Sequence, residues 1–261
     1  MNRFIITAGG TKERIDAVRA ITNDATGRLG SLIAEEFSRR LMNKPHTIYY
    51  LCGIGSVIPN IEDANLHIIR IGGTEQLLDE MKYLLITQKI DAVIHSMAVS
   101  DYKVNSVASL ELLANEIYQR VQDCSNSITC KEWQNILALS ANSVSLKDQQ
   151  KISSDIEHPF MILEKTPKII GMIKETSPRT RLVGFKLLSG VSRETLHETA
   201  YKLLLKNQCE YVLANDTDTI KDGLHIGYLI DKSGNYKEFI NKEHIAAGIA
   251  DSLLDKEEDK K

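Results

Sequence analysis

No apolar run in this 261-residue chain approaches the ~20 residues that a membrane span needs. No positively charged, apolar leader opens it either: the first residues read directly as a strand, so the expected location is the cytoplasm. Its four cysteines, Cys52, Cys124, Cys130 and Cys209, have no C-x-x-C or zinc-finger spacing. They are expected to be reduced thiols rather than disulfides or metal ligands. Lysine and arginine never gather into a block, and the net charge is −3, so neither nucleic acid nor a membrane is an expected partner. No segment repeats. The composition, 43% hydrophobic and 26% charged, is that of an ordinary globular protein, long enough for one large α/β domain or two small ones.

Apolar runs of strand length alternate with helical patterns, which predicts stacked βαβ units and a mostly parallel sheet. The strand candidates are "RFIITA", "HTIYYLCG", "NLHIIRI", "DAVIHSMAV", "RLVGFKL" and "YVLAND". Helices are expected near Ser31–Met42, Thr74–Thr87, Thr166–Glu175 and Ser192–Asn207. A late hairpin, "LHIGYLIDKSGNYKEFI", turns at Gly-Asn, and "KEHIAAGIADSLLDK" closes the pattern as an amphipathic helix. The tail "DKEEDKK" is expected to be a fraying helix end. Residues 105–149 break the rhythm with two polar-rich helices between serine-rich stretches. This segment is expected to be an insertion lying outside the sheet, covering the site or extending a subunit contact.

Ligands of open parallel sheets bind beyond the carboxyl ends of the strands. Four such ends are polar here: "TAGG", "SMAVSDY", "GFKL" and "ANDTD". One alone would be ordinary turn chemistry. Four together, with a glycine-opened helix, point to a nucleotide or phosphate site. In "TNDATGRLG" either Thr26 or Asp24 can cap the helix and Gly27 lets the backbone approach an anion, with Arg19 and Arg28 adding positive charge. The same residues serve equally well as a plain capped helix whose glycines allow close packing on the sheet.

A nicotinamide-dependent reductase fits less well. The second strand ends in "LCG", without the acid that would hold a ribose. The Tyr228-x-x-x-Lys232 pair lies in the hairpin, where extended chain holds the two side chains ~13 Å apart. Lys202 and Lys206 share one helix face, which is commonly a solvated stripe. Lys151 stands in a polar loop with no apolar pattern to bury it.

In order along the chain, "ITAGGTKERIDAVRAITNDATGRLG", "AVSDY", "KISS", "KTPKII", "VGFK" and "AND" resemble the phosphopantothenate–cysteine ligase family over nearly the whole length. The Asp-x-Val-Arg-x-Ile-Thr-Asn core of the first stretch is the most specific part. The resemblance implies a single Rossmann-like domain over residues 1–261, a mostly parallel sheet flanked by helices, with the late hairpin and the helical insertion, and a homodimer. It also implies joining of 4′-phosphopantothenate to L-cysteine through an acyl-nucleotide. The nucleotide triphosphate would be CTP or ATP, and the metal Mg²⁺, carried mainly by the triphosphate, with Asp101 as candidate ligand.

By position, the resemblance puts Asn23 at the acyl intermediate and Arg19 on the phosphopantothenate phosphate. It puts Gly9, Gly10, Thr26, Gly27, His95, Ser96, Met97 and Asp101 around the nucleotide, and Lys151 on a lid. Pro167, Lys168, Ile169 and Ile170 would form a loop beside the nucleotide, Phe185 a base pocket, and Lys202 and Lys206 would meet the triphosphate. The polar detour between the strand "RFIITAGG" and the helix opened by Gly27 and Gly30 would hold the substrate end and reach the dimer partner.

Three departures stand out. Ala25-Thr26 replaces a frequent Ser-Ser pair, "GFKLLSG" replaces the commoner "GFAAET", and the segment between Tyr102 and Lys151 is long. Decarboxylation of the product is expected from a separate polypeptide. A Rossmann-type NAD(P)-dependent reductase and a non-catalytic nucleotide-binding regulator are the rival readings.

Overall fold

The computed structural model describes residues 1–122, 127–147, 150–221 and 223–254. In chain order the strands are β1 Asn2–Ala8, β2 Lys12–Arg14, β3 Ala20–Thr22, β4 His46–Gly53, β5 Leu66–Ile71, β6 Ala92–His95, β7 Tyr102–Ser109, β8 Pro159–Lys165, β9 Arg181–Leu188, β10 Tyr211–Asp216, β11 Gly227–Asp231 and β12 Tyr236–Phe239. The helices are α1 Arg28–Leu41, α2 Thr74–Thr87, α3 Leu110–Gln122, α4 Cys130–Ser143, α5 Ile169–Thr176, α6 Arg193–Lys206 and α7 Lys242–Leu254. They divide into two compact units, the second made of Lys12–Thr22 and Ser100–Thr166.

The first unit is a Rossmann-like α/β layer structure. Its eight strands run in the order β12-β11-β10-β9-β6-β1-β4-β5. The six from β10 to β5 are parallel, and the late hairpin adds two antiparallel strands at one edge. Side chains alternate across the sheet. Phe4, Ile6 and Ala8 face α1 and α7, whereas Ile5 faces the core beneath α2, α5 and α6. Covering both faces is what makes these strands read as nearly continuous apolar runs. Helix α1 presents Ile33, Ala34, Phe37 and Leu41 to the sheet, with Phe37 edge-on to Phe4 at 5.1 Å. Arg39 and Arg40 close its last turn, where the helix dipole favours cations.

The chain leaves β1 for β4 and β5 on one side and returns to β6 on the other. The carboxyl ends of β1 and β6 therefore flank the switch point of the sheet, the crevice where such folds bind ligands.

The second unit takes in more chain than residues 105–149. The detour after β1 is its small antiparallel hairpin, β2 with β3. A second antiparallel pair, β7 with β8, is bulged between Val104 and Ser106. Neither pair belongs to the eight-stranded sheet. Val104, Val107 and Ile152 form a modest core with Ile15, Ile21, Leu146 and Ile156. Thr129 and Glu132 close a capping box at the start of α4.

Some boundaries differ from the sequence reading. Asn105–Ser109 is strand, and α3 starts only at Leu110. The strand expected over residues 91–99 stops at His95, because Ser96, Met97 and Ala98 turn their polar groups onto the end of β1. Helix α5 begins at Ile169 rather than Thr166. Strands β2, β3 and β8 were not anticipated: two are only three residues long and β8 is bounded by no turn glycine. Cys52, Cys130 and Cys209 are free thiols. Cys124 and the tail from Asp255 lie outside the described residues.

Candidate functional site

At the switch point, Gly9 follows β1 with φ 78°, and a Cβ there would stand 1.8 Å from the Ser56 Oγ. Gly27 has φ 79°, and its Cβ would stand 3.1 Å from the Gly9 amide nitrogen. Both positions demand glycine, first by conformation and then by space. Gly10 bridges to Ala98, so the end of β1 is tied to the segment after β6.

Gly27, not Thr26 or Asp24, is the N-cap of α1, and no side chain caps the helix. The correction follows from backbone geometry. With Gly27 left-handed, the Thr26 hydroxyl reaches only the Arg28 amide, at 3.3 Å. Beyond that contact no capping side chain accepts from the first-turn amides, which together with the helix dipole suits an anion. Arg28 is directed along the helix, 3.6 Å from Glu35.

Thr7 organises the neighbouring strand end. Its hydroxyl accepts from the Met97 amide at 3.0 Å and lies 3.0 Å from the His95 Nδ1. The Thr7 oxygen can accept a second hydrogen bond as well as donate one, so it holds Nδ1 in either tautomer of a neutral His95. Burial pushes the His95 pKa down to about 4, so at neutral pH the site holds a neutral imidazole.

This produces a pH dependence of known sign. The unfolded chain protonates His95 near pH 6.5 and the folded chain only near 4, so stability falls as pH drops between those values. The loss from His95 should be about 2 kcal/mol between pH 7.5 and 5. His225, also pushed down to about 4 by burial and then by Lys242, adds to the trend. Urea midpoints at the two pH values measure it, and in His95→Gln the decline should be shallower. A wild-type midpoint that does not move would refute the assignment.

Ser96 donates its hydroxyl to the Thr7 carbonyl. The Met97 side chain belongs to the core beneath α2 and α5, and its amide donates to Thr7. Asn23 is exposed and donates Nδ2 to the Ala98 carbonyl at 3.3 Å. That is a long hydrogen bond, suited to exchange for a better acceptor. Asn23, Gly9, Gly10, Gly27, His95 and Ser96 are therefore brought to one edge.

Other expected residues are placed differently. Pro167 and Lys168 are exposed just ahead of α5, whereas Ile169 is buried in its first turn and Ile170 half-buried. The expected loop is half helix. Phe185 is half-buried on β9 against the α1–α7 side of the core. Lys202 and Lys206 lie in the last half of α6, which returns from the carboxyl end of β9 to the amino end of β10. They therefore sit by the amino ends of the strands, roughly one strand length (~20 Å) from the glycine edge. Lys202 pairs there with Glu198 at 2.6 Å. The parallel crossover dictates this: the helix must carry the chain back before the next strand begins.

In the second unit, Arg19 is bound to the Asp16 carboxylate through Nε at 3.0 Å and Nη2 at 2.7 Å. Lys151 is exposed, and the Asp101 carbonyl accepts from the Thr166 amide at 3.1 Å. Among the described residues no three His, Cys, Asp or Glu side chains could hold a metal ion together. Sequence reasoning missed Thr7, Ser56 and Asp16. Thr7, the one polar side chain in the buried part of "FIITA", was the legible signal.

The family described as DNA/pantothenate metabolism flavoprotein C-terminal domain matches residues 1–139 and 114–256. A crystal structure of the DNA/pantothenate metabolism flavoprotein from Streptococcus pneumoniae is 33% identical, covering 98% of this chain and 99% of that one, with TM-score 0.78. The coenzyme A biosynthesis bifunctional protein CoaBC of Thermococcus kodakarensis is 29% identical over 82% of this chain. This chain spans 41% of that relative's length. A Cab2 mutant in complex with phosphopantothenate-cysteine shares the fold, with TM-score 0.61 at 15% identity over 98% of this chain and 89% of that one.

Proposed function

The chain belongs to the DNA/pantothenate metabolism flavoprotein C-terminal domain family, and we propose that it joins 4′-phosphopantothenate to L-cysteine in coenzyme A biosynthesis, using CTP or ATP. The observation that carries the reading is the edge at the switch point. There an uncapped helix start, opened by a left-handed Gly27, shares the end of β1 with the Asn23 amide. An activated carboxylate needs both an anion seat and a neutral donor beside the carbonyl. The family match adds support, as do the names of the relatives.

In this reading the phosphopantothenate carboxylate attacks the α-phosphorus of the nucleotide, and the bond to the leaving pyrophosphate breaks. The amine of cysteine then attacks the acyl carbon, the nucleoside monophosphate departs, and the amine releases a proton. Amides of the first turn of α1 hold a phosphate, and the Asn23 Nδ2–H stabilises the carbonyl oxygen as it gains charge. His95 contributes a neutral imidazole. Mg²⁺, where bound, would screen the negative charge that builds on the departing pyrophosphate. The chain acts as a homodimer in this proposal, and a separate enzyme decarboxylates the product.

Pyrophosphate release is the test, followed with CTP and ATP in parallel, with and without phosphopantothenate and cysteine. Release that requires phosphopantothenate supports the proposal. NADPH oxidation without pyrophosphate would replace it by a reductase, and no turnover at all would leave a binding protein.

Lys151→Gln should slow the activation step about tenfold to a hundredfold. Losing one charge-assisted hydrogen bond to phosphate costs about 1.5–3 kcal/mol, and an exposed lysine contributes little to the fold. Single-turnover acyl-nucleotide formation measures it. Unchanged kinetics would remove Lys151 from the site.

A further inference from the structure

The turn between β2 and β3 is built around one carboxylate. Asp16 Oδ1 accepts from the amides of Val18 at 2.8 Å and Arg19 at 2.7 Å. Oδ2 accepts from the Arg19 guanidinium and from the Ile152 amide at 3.2 Å. The Asp16 side chain has no solvent exposure, while that of Arg19 is 47% exposed. These bonds hold its carboxyl well below the usual carboxylate range, the Arg19 hydrogen bond most of all. Arg19 Nη2 also donates to the Ile152 carbonyl at 2.6 Å, and the Ala17 amide to the Gln150 carbonyl at 3.0 Å.

Three contacts from one turn thus pin the residues on either side of Lys151, and the Ile152 side chain is buried beside Val104 and Val107. Lys151 is left pointing outward from a segment fastened at both flanks. An exposed lysine on a polar loop would otherwise sample many positions, and fixing it in advance lowers the entropy lost when it meets a ligand. We propose that Asp16 is a positioning residue, which with Arg19 forms a clasp that sets where Lys151 is presented. The inference rests on the proposed role of Lys151 for its catalytic consequence, but the clasp itself is testable without turnover.

Asp16→Asn puts an NH₂ group where Oδ2 accepts from Arg19 and Ile152, so donors face donors. In the full-length chain, trypsin cleavage after Lys151, followed by mass spectrometry, should accelerate at least tenfold, while cleavage after Lys131 in α4 stays unchanged. Arg19→Gln removes the guanidinium contacts but leaves the Asp16–Ile152 bond, and should accelerate cleavage less. Activity gives the second arm. Asp16→Asn should lower the rate of acyl-nucleotide formation tenfold or more in the wild type but less than threefold in a Lys151→Gln background, since it acts through that lysine. Unchanged cleavage after Lys151 would overturn the clasp, as would equal acceleration after Lys131, which marks general unfolding. Multiplicative losses in the double variant would overturn the link to Lys151. If no ligase activity exists, the cleavage arm still decides the clasp while the proposed function fails separately.

Discussion

Asn23→Asp is expected to keep forming the acyl-nucleotide while passing ~10²–10³-fold less of it to cysteine, a loss of about 2.7–4 kcal/mol if Asn23 acts as an oxyanion donor. In the proposed reaction, activation would rely on phosphate contacts at the start of α1, to which the Asn23 side chain does not belong, and acyl transfer on a neutral N–H beside a carbonyl oxygen that becomes negative. Asn23 now donates Nδ2 to the Ala98 carbonyl at 3.3 Å. An aspartate of the same size could neither keep that bond nor make the new one, and its charge would repel the oxyanion. Rapid-quench measurement of acyl-nucleotide formation and consumption separates the steps. Equal impairment of both would make Asn23 a ground-state binder, and normal product formation would end the assignment.

Gly9→Ala should damage fold and site together. The left-handed φ of 78° costs an alanine about 1–2 kcal/mol. The new Cβ would overlap the Ser56 side chain, 1.8 Å from Oγ and 2.7 Å from Cβ, so the 53–57 turn must shift. Overpacking of this kind adds about 1–3 kcal/mol. The sum of about 2–5 kcal/mol corresponds to a fall in melting temperature on the order of 10 °C for a chain of this size. The Gly9 carbonyl accepts from the Ala98 amide at 2.8 Å, so the same shift disturbs the carbonyl that receives Asn23. Gly190→Ala, at φ 64° but with a Cβ no closer than 3.6 Å to any atom, isolates the conformational part and should cost roughly 1–2 kcal/mol. If the two variants melt alike, crowding at Gly9 is not significant.

Much of the first unit was legible because its central strands are buried on both faces. Strands β1, β4, β5, β9 and β10 and the late hairpin fall where the apolar runs and the Gly234-Asn235 turn put them. Helices α2 and α6 match their periodic patterns, and Ser192 caps α6 as a serine before a helical run should. The glycine-rich edge was also legible, since Gly9 and Gly27 answer to local backbone geometry. The second unit was less so. Strands β2 and β3 are too short for a period to show, and β8 leaves Phe160, Met161 and Leu163 partly exposed, which blurs the alternation that marks a half-buried strand.

The sequence by itself determined the alternation of strand and helix, the parallel sheet and the glycines at its carboxyl edge. Each of these is encoded by a periodicity or by a conformation that one residue type alone tolerates. Tertiary structure decided which side chains at that edge are free to act. Thr7 holds the His95 ring from 88 residues away, and Asp16 secures the Ile152 amide from 136 residues away. The core, not the motif, turned the Met97 thioether inward, and the return path of α6 carried Lys202 and Lys206 to the far end of the sheet. Hydrogen bonds and packing between residues so distant in the chain leave no periodic trace, so they emerge only when the sheet brings their partners together.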